Sequence, residues 1–269
     1  MYLGIDVGGT KTLVASLEND GVIKESRKFP TPQDYQEFLK ELERNITQLN
    51  AKEFKAIGVG IPATSIYREE GIALTFSNLG WRHVYVQQDI EQLTNCPTAV
   101  ENDAKLAGLS ESMLRPDIHK LVYVTVSTGI GYSLITEQKI DPNIGDGGGS
   151  LLLLEHKGKL VPWESFASGK AIVETFGKMA KDINDTEVWQ KIARNISLGL
   201  IELVAMAEPE VIVIGGSVGV YLNRFIEPLN TEMRTHETPL VKMPTIEAAI
   251  RPEEAVVYGC YDYAKQVYG

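Results

Sequence analysis

Apolar residues run from Tyr2 to Val7, interrupted by one acid, Asp6. A Gly8-Gly9 pair follows, and a second apolar-rich run opens near Thr12. The pattern predicts strands over about 2–7, 12–18 and 22–28. Thr31-Pro32-Gln33-Asp34 then reads as a helix start: Thr31 as cap, Pro32 at the first helical position, and Asp34 facing the helix dipole. Tyr35, Phe38, Leu39, Leu42, Ile46 and Leu49 follow at helical spacing. Ala56–Ile61 is an apolar run stopped by Pro62, which predicts a buried strand. Another strand ends at Ala99-Val100-Glu101, and a helix opens near Asn102-Asp103.

At Leu121 the opening pattern returns. Leu121–Val126 predicts a strand, Ser127-Thr128-Gly129-Ile130-Gly131 a small-residue turn, and Tyr132–Thr136 a return strand. Two halves that begin with one device predict duplicated α/β domains facing each other, with two phosphate loops gripping one nucleotide between them. A glycine-rich loop spans 145–149, and a helix follows Ala167-Ser168-Gly169. Val188, Ile192, Ile196, Leu200 and Leu203 mark a longer helix. Val211–Ile214 predicts a buried strand ended by Gly215-Gly216-Ser217, and 253–268 a closing helix. The expected domains are 1–115 with 253–269, and 116–252.

The chain has 269 residues, 43% hydrophobic and 23% charged, enough for a large core or two ordinary ones. Its formal net charge of −10 argues against nucleic acid as a main partner. Cys96 and Cys260 match no metal-ligand spacing and read as small core residues, which makes a reducing cytoplasm the simplest location. No signal sequence is read at the start, and no apolar run approaches the ~20 residues of a membrane span.

Several positions are candidates for chemistry. Asp6 beside Gly8-Gly9 suits a hydrated Mg²⁺ accompanying phosphate, because bare glycine amides can face an anion; an ordinary hairpin turn explains the same residues. Asn102 and Asp103 each read as a helix cap, and equally Asp103 reads as a carboxylate placed to take a proton from a substrate hydroxyl, with Asn102 orienting that substrate. Thr128, Gly129 and Gly131 read as a second phosphate loop or a plain hairpin turn. Gly215, Gly216 and Ser217 read as a bed for a ring or ribose, or as tight packing. Asn78, in Ser77–Trp81, suits a polyol or an exposed turn. Glu164 reads as a helix-dipole partner or a ligand.

Together, DVGGTK (6–11), GVGIPA (58–63), SNLGW (77–81), VENDA (100–104), STGIG (127–131), ESFASG (164–169) and PEVIVIGGS (209–217) resemble the ROK-type sugar kinases, glucokinase-like members of the actin–hexokinase ATPase superfamily. The resemblance spans nearly the whole chain. It implies two ribonuclease H-like (actin-like ATPase) α/β domains around a central cleft, and an ATP-dependent kinase acting on a hexose hydroxyl. Asp103 would be the base. Asn78, Asn102, Asp103, Asp146 and Glu164 would hold the sugar. Asp6, Gly8, Gly9, Thr10, Lys11, Thr128, Gly129, Gly131, Gly215, Gly216 and Ser217 would hold Mg-ATP, with Asp6 meeting Mg²⁺ through water. Glucose is the first expected acceptor; N-acetylmannosamine, fructose and allose are alternatives, as is a non-catalytic sugar sensor. Homodimers are usual in the family.

The chain departs from the family pattern at Ala63, where a Gly usually follows the proline, and more consequentially in the sugar site. The usual Glu and His of the sugar site are Asp146 and Gly149 here, which predicts a roomier or differently shaped pocket. Residues 150–163 carry no cysteine, so no structural zinc is expected.

Overall fold

The computed structural model describes residues 1–51, 53–76, 78–251 and 254–269. Ser77 and Glu253 of the motifs above lie outside them. The chain divides into two compact units, Met1–Ser110 with Glu254–Gly269, and Glu111–Glu253.

The first unit contains β1 (Tyr2–Val7), β2 (Lys11–Leu17), β3 (Ile23–Pro30), α1 (Tyr35–Thr47), β4 (Ile57–Ile61), β5 (Ala63–Tyr67), β6 (Ile72–Phe76), β7 (Arg82–Val84), α2 (Val86–Thr94), β8 (Thr98–Asn102) and the start of α3 (Asp103–Met113). Its main sheet has the order β3-β2-β1-β4-β8. β1 and β2 form the expected hairpin, pairing Asp6 with Leu13 and Val7 with Thr12. β4 runs parallel to both β1 and β8. That arrangement buries β4 completely and explains its unbroken apolar run. β5, β6 and β7 form a separate antiparallel meander that the periodicity did not predict.

The second unit contains β9 (Lys120–Val126), β10 (Ile130–Thr136), β11 (Lys139–Ile140), α4 (Gly148–Leu151), β12 (Leu153–His156), β13 (Lys159–Pro162), α5 (Glu164–Ala167), α6 (Gly169–Phe176), α7 (Thr186–Ala207), β14 (Val211–Gly215), α8 (Gly216–Gly219), α9 (Ile226–Arg234) and β15 (Thr245–Ala248). Its sheet order is β11-β10-β9-β14-β15, with β9–β10 antiparallel and β14 parallel to β9 and β15. The hairpin-then-parallel plan of the first unit is therefore repeated. α10 (Ala255–Tyr268) returns the chain to the first unit.

Each unit has its own core. Leu3, Ile5, Val59, Ile61, Phe38 and Trp81 are buried in the first. Val124, Trp163, Ile196, Leu200, Ile212 and Phe225 are buried in the second. Burying each such side chain contributes roughly 1.5–3 kcal/mol. α10 lies directly on the first sheet because Gly58 has no side chain: a Cβ there would collide with the Cys260 carbonyl. Cys96 and Cys260 are free and buried, as expected. Among the described residues no helix is long and apolar enough to cross a membrane.

The start of α1 differs from expectation. Asp34, not Thr31, is the cap, accepting the Glu37 N–H at 2.9 Å. Thr31 is spent elsewhere, as described next.

Candidate active site

In the first unit the Gly8–Lys11 turn is closed by the Gly8 N–H donating to the Lys11 carbonyl at 3.0 Å. Thr31 holds it from behind. Its hydroxyl donates to the Gly8 carbonyl at 2.8 Å, and its N–H donates to the Thr10 carbonyl at 3.0 Å. Thr12 Oγ1 lies 2.9 Å from Thr31 Oγ1. Thr10 and Lys11 remain exposed. A Cβ on Gly9 would sit 2.7 Å from Asn78 Cβ, so the structure brings Asn78 against the Gly8–Lys11 turn.

Asp6 and Asp103 stand at the C-terminal end of the same sheet. Asp6 pairs with Gly60 in the parallel register, Gly60 with Glu101, and Ile61 with Asn102. Both carboxyls are half-buried. Burial, and then the charge of Asp103, push Asp6 up to about 7, while Lys28 pulls the other way. Burial pushes Asp103 up to about 6, against the stabilising N–H of Ala104, which donates to its Oδ1 at 2.8 Å.

Asn102 acts locally. Its Oδ1 accepts the N–H groups of Ala104 at 2.9 Å and Lys105 at 3.2 Å, and its Nδ2 donates to the Ala63 carbonyl at 3.0 Å. The cap reading of this residue is thus realised, and it ties β8 to β5. The residue before it, Glu101, escaped the sequence reading. It is 1% exposed, takes Arg68 in a two-pronged pair (Nε–Oε2 2.6 Å, Nη2–Oε1 2.8 Å), and accepts the Asn102 N–H at 2.7 Å. A buried acid inside an apolar strand was the available signal.

In the second unit Ser127 organises the other loop. Its N–H donates to the Gly129 carbonyl at 2.9 Å. Its carbonyl accepts the Gly169 N–H at 2.6 Å, and its Oγ accepts the Ser217 N–H at 3.0 Å. The Thr128–Gly131 and Gly215–Ser217 segments are thereby joined. Gly216 has φ +83°, and a Cβ on it would lie 2.6 Å from both Ser127 Oγ and Thr125 Oγ1. Thr128 and Ser217 are exposed. The return strand begins at Ile130, so Gly131 is a strand residue rather than part of the turn.

Glu164 starts α5, and its Oε2 accepts the Ile130 N–H at 3.3 Å. The structure therefore places it on the Thr128–Gly131 loop. Gly149 lies in α4, where a Cβ would come within 2.9 Å of Ile130 Cβ and 3.3 Å of the Glu164 N. Ile130 and Glu164 therefore close directly on Gly149. Asp146 is half-buried in the preceding turn. Among the described residues no group of three or more His, Cys, Asp or Glu is arranged to hold a metal ion.

The ROK family model matches residues 2–267. The chain belongs to the ROK family. Among similar ROK-type proteins, the N-acetylmannosamine kinase of Escherichia coli O1:K1 / APEC is 34% identical, covering 81% of this chain and 83% of that one. A ROK family glucokinase from Streptomyces griseus, solved with glucose and AMPPNP, superposes with TM-score 0.83 at 20% identity over 98% of this chain and 99% of that one. A ROK family protein from Streptococcus pneumoniae TIGR4, solved with sucrose, gives 0.82 at 25% identity over 99% and 98%. The fold of this chain is accordingly the ROK version of the actin-like α/β ATPase fold expected from its motifs.

Proposed function

We propose that this ROK protein is an ATP-dependent sugar kinase with Asp103 as its general base. The observation that carries the reading is the placement of Asp103: first residue of α3, at the end of a parallel strand, oriented by the Ala104 N–H, with a carboxyl at about 6. A base poised just below neutral pH is ionised when the substrate arrives and still accepts a proton as the hydroxyl attacks. The acceptor oxygen bonds to the γ-phosphorus of ATP while the bond to the β–γ bridging oxygen breaks. The hydroxyl proton goes to Asp103, and ADP leaves.

The other candidates position and stabilise. Gly8, Gly9 and Thr10, with Lys11 beside them, present the first phosphate-facing turn. Thr128 and Gly129, with Gly131 just beyond them in the return strand, present the second, and Gly215, Gly216 and Ser217 border the nucleoside. Asn78, Asp146 and Glu164 receive sugar hydroxyls, while Asn102 fixes the start of α3 and offers the sugar its second amide hydrogen. Such transfers depend mainly on positioning and electrostatics.

Asp6 fits a hydrated divalent cation. It is a single carboxyl raised to about 7 by burial and then by the charge of Asp103, which suits Mg²⁺ bound through water and substrate phosphates rather than in a protein cage. Mg²⁺, when bound, offsets the negative charge that develops on the transferring phosphoryl oxygens.

N-acetylmannosamine becomes the first acceptor to test, since the relatives at 34% identity are named N-acetylmannosamine kinases; glucose is second. The test is ADP release from Mg-ATP across a panel of both sugars, fructose and allose, with wild type and Asp103→Asn side by side. Sugar-dependent turnover that collapses in the variant supports the reading and names the acceptor. ATP binding with no turnover on any sugar replaces it with a sugar sensor.

A further inference from the structure

A pocket of about 710 Å³ opens within the second unit, lined in part by the β12–β13 hairpin and by Ser165 and Phe166 of α5. Its charge is opposite to that of the chain. Lys157, Lys159 and Lys191 line it and no carboxylate does, whereas the protein as a whole carries a net −10. None of the three lysines forms an ion pair among the described residues. All three are exposed. The hairpin turn itself presents two of them: Lys157 and Gly158 have φ +53° and +78°, and His156 pairs with Lys159 across it. Glu155, the acid next in sequence, is turned to the Gly158 N–H at 2.6 Å.

The remaining walls are mixed. The His156 ring stacks on Phe166 at 4.2 Å with the planes 6° apart, Ser165, Thr175 and Asn195 add polar groups, and Val161 and Phe176 add apolar ones. Uncompensated lysines suit a phosphate dianion. An aromatic face with hydroxyl and amide neighbours suits a sugar ring. The pocket is larger than either piece alone requires.

The pocket is also wired to the candidate site. α5 is only four residues long. Its first residue, Glu164, holds the Ile130 N–H, while its next two, Ser165 and Phe166, line the pocket. Asn195 fastens the same helix to α7: its Nδ2 donates to the Phe166 carbonyl at 2.9 Å, and its own carbonyl accepts the Trp163 Nε1–H at 3.1 Å. A shift of Phe166 on filling the pocket would reach Glu164 through a single helical turn.

We propose that this pocket binds a phosphorylated sugar and that its occupancy regulates the enzyme through α5. The regulatory part rests on the kinase reading; the binding part does not. The probes are glucose 6-phosphate and inorganic phosphate. Binding is read from the imidazole NMR signals of the four histidines, with His156 assigned by His156→Gln. Glucose 6-phosphate is expected to shift the His156 signal saturably. The triple variant Lys157→Ala/Lys159→Ala/Lys191→Ala, all surface positions, is expected to bind at least about ten-fold more weakly. Lys191→Ala alone, on α7 away from the hairpin, should weaken it in the same direction. The triple variant should keep its turnover without effector and lose its response to glucose 6-phosphate.

No His156 shift, or a shift unchanged in the triple variant, overturns the site. Equal affinity for inorganic phosphate overturns the sugar part. Equal effects of glucose 6-phosphate on the rates of both proteins overturn the regulation and place it at the product position. Failure of the kinase reading shows separately, as absence of ADP release with every sugar.

Discussion

The charge of Asp103 reaches Asp6 and helps to hold its carboxyl near 7, although the two residues are 97 positions apart in the chain. β1, which carries Asp6, and β8, which leads directly into Asp103, flank β4, so their ends lie about 10 Å apart. Two carboxylates sharing one sheet end disfavour each other's ionised forms. A cation arriving there would relieve that conflict.

The pH dependence follows from Asp103. Its carboxyl must be ionised to accept a proton, and it titrates at about 6. We expect kcat/KM for the sugar to fall about ten-fold per pH unit well below that value and to level off above it. A pH–rate profile under excess Mg-ATP checks this; a flat profile down to pH 5 removes Asp103 as the base. Asp103→Asn keeps an oxygen for the Ala104 N–H, so it should fold normally and lose ~10²–10⁴ in kcat.

Stability carries a related signature through Asp6. Between its unfolded value of 3.8 and its folded value of about 7, the folded protein retains a proton that the unfolded chain has released. The stability contributed by this group therefore declines as pH rises through that window and is constant above it. Asp6→Asn removes the decline. Its melting temperature should match wild type near pH 4 and exceed it increasingly up to about pH 7, while kinase turnover falls. Thermal unfolding of both proteins across pH decides the matter.

The Arg68–Glu101 pair is expected to support Asp103 indirectly. Arg68→Ala would leave Glu101, 1% exposed, without its two-pronged partner, at a cost of about 3–5 kcal/mol. The Asn102 cap, which depends on Glu101 for its own N–H, should loosen with it. Urea unfolding should show the loss, and a reduced kcat with KM little changed should show misplacement of the base. Arg68→Met combined with Glu101→Gln should recover much of the stability.

Gly216→Ala tests the second loop. The added methyl would meet Ser127 Oγ and Thr125 Oγ1 at 2.6 Å, in a backbone conformation of φ +83°. Strain of about 1–2 kcal/mol falls on the Ser127–Ser217 link. We expect a raised KM for ATP with the sugar KM near normal, measured by steady-state kinetics. An unchanged ATP KM would detach this segment from the nucleotide.

Much of the architecture was determined locally. The β1–β2 and β9–β10 hairpins, the buried β4 and β14, and the long α7 each follow from a short-range pattern of apolar spacing and turn residues. The motif order then pointed to the ROK family and to Asp6, Asp103 and the two glycine-rich loops. Only the tertiary structure decided which polar residues hold those loops in place. Thr31 looked like a cap because capping residues are recognised by local sequence, yet its hydroxyl meets Gly8, 23 residues away. Ser127 joins Ser217 across 90 residues, and Arg68 reaches Glu101 across 33. Ile130 and Glu164 close on Gly149 for the same reason. Backbone pattern is written in near neighbours; the partner of a buried polar group is chosen by packing, which brings together residues whose separation along the chain leaves no periodic trace.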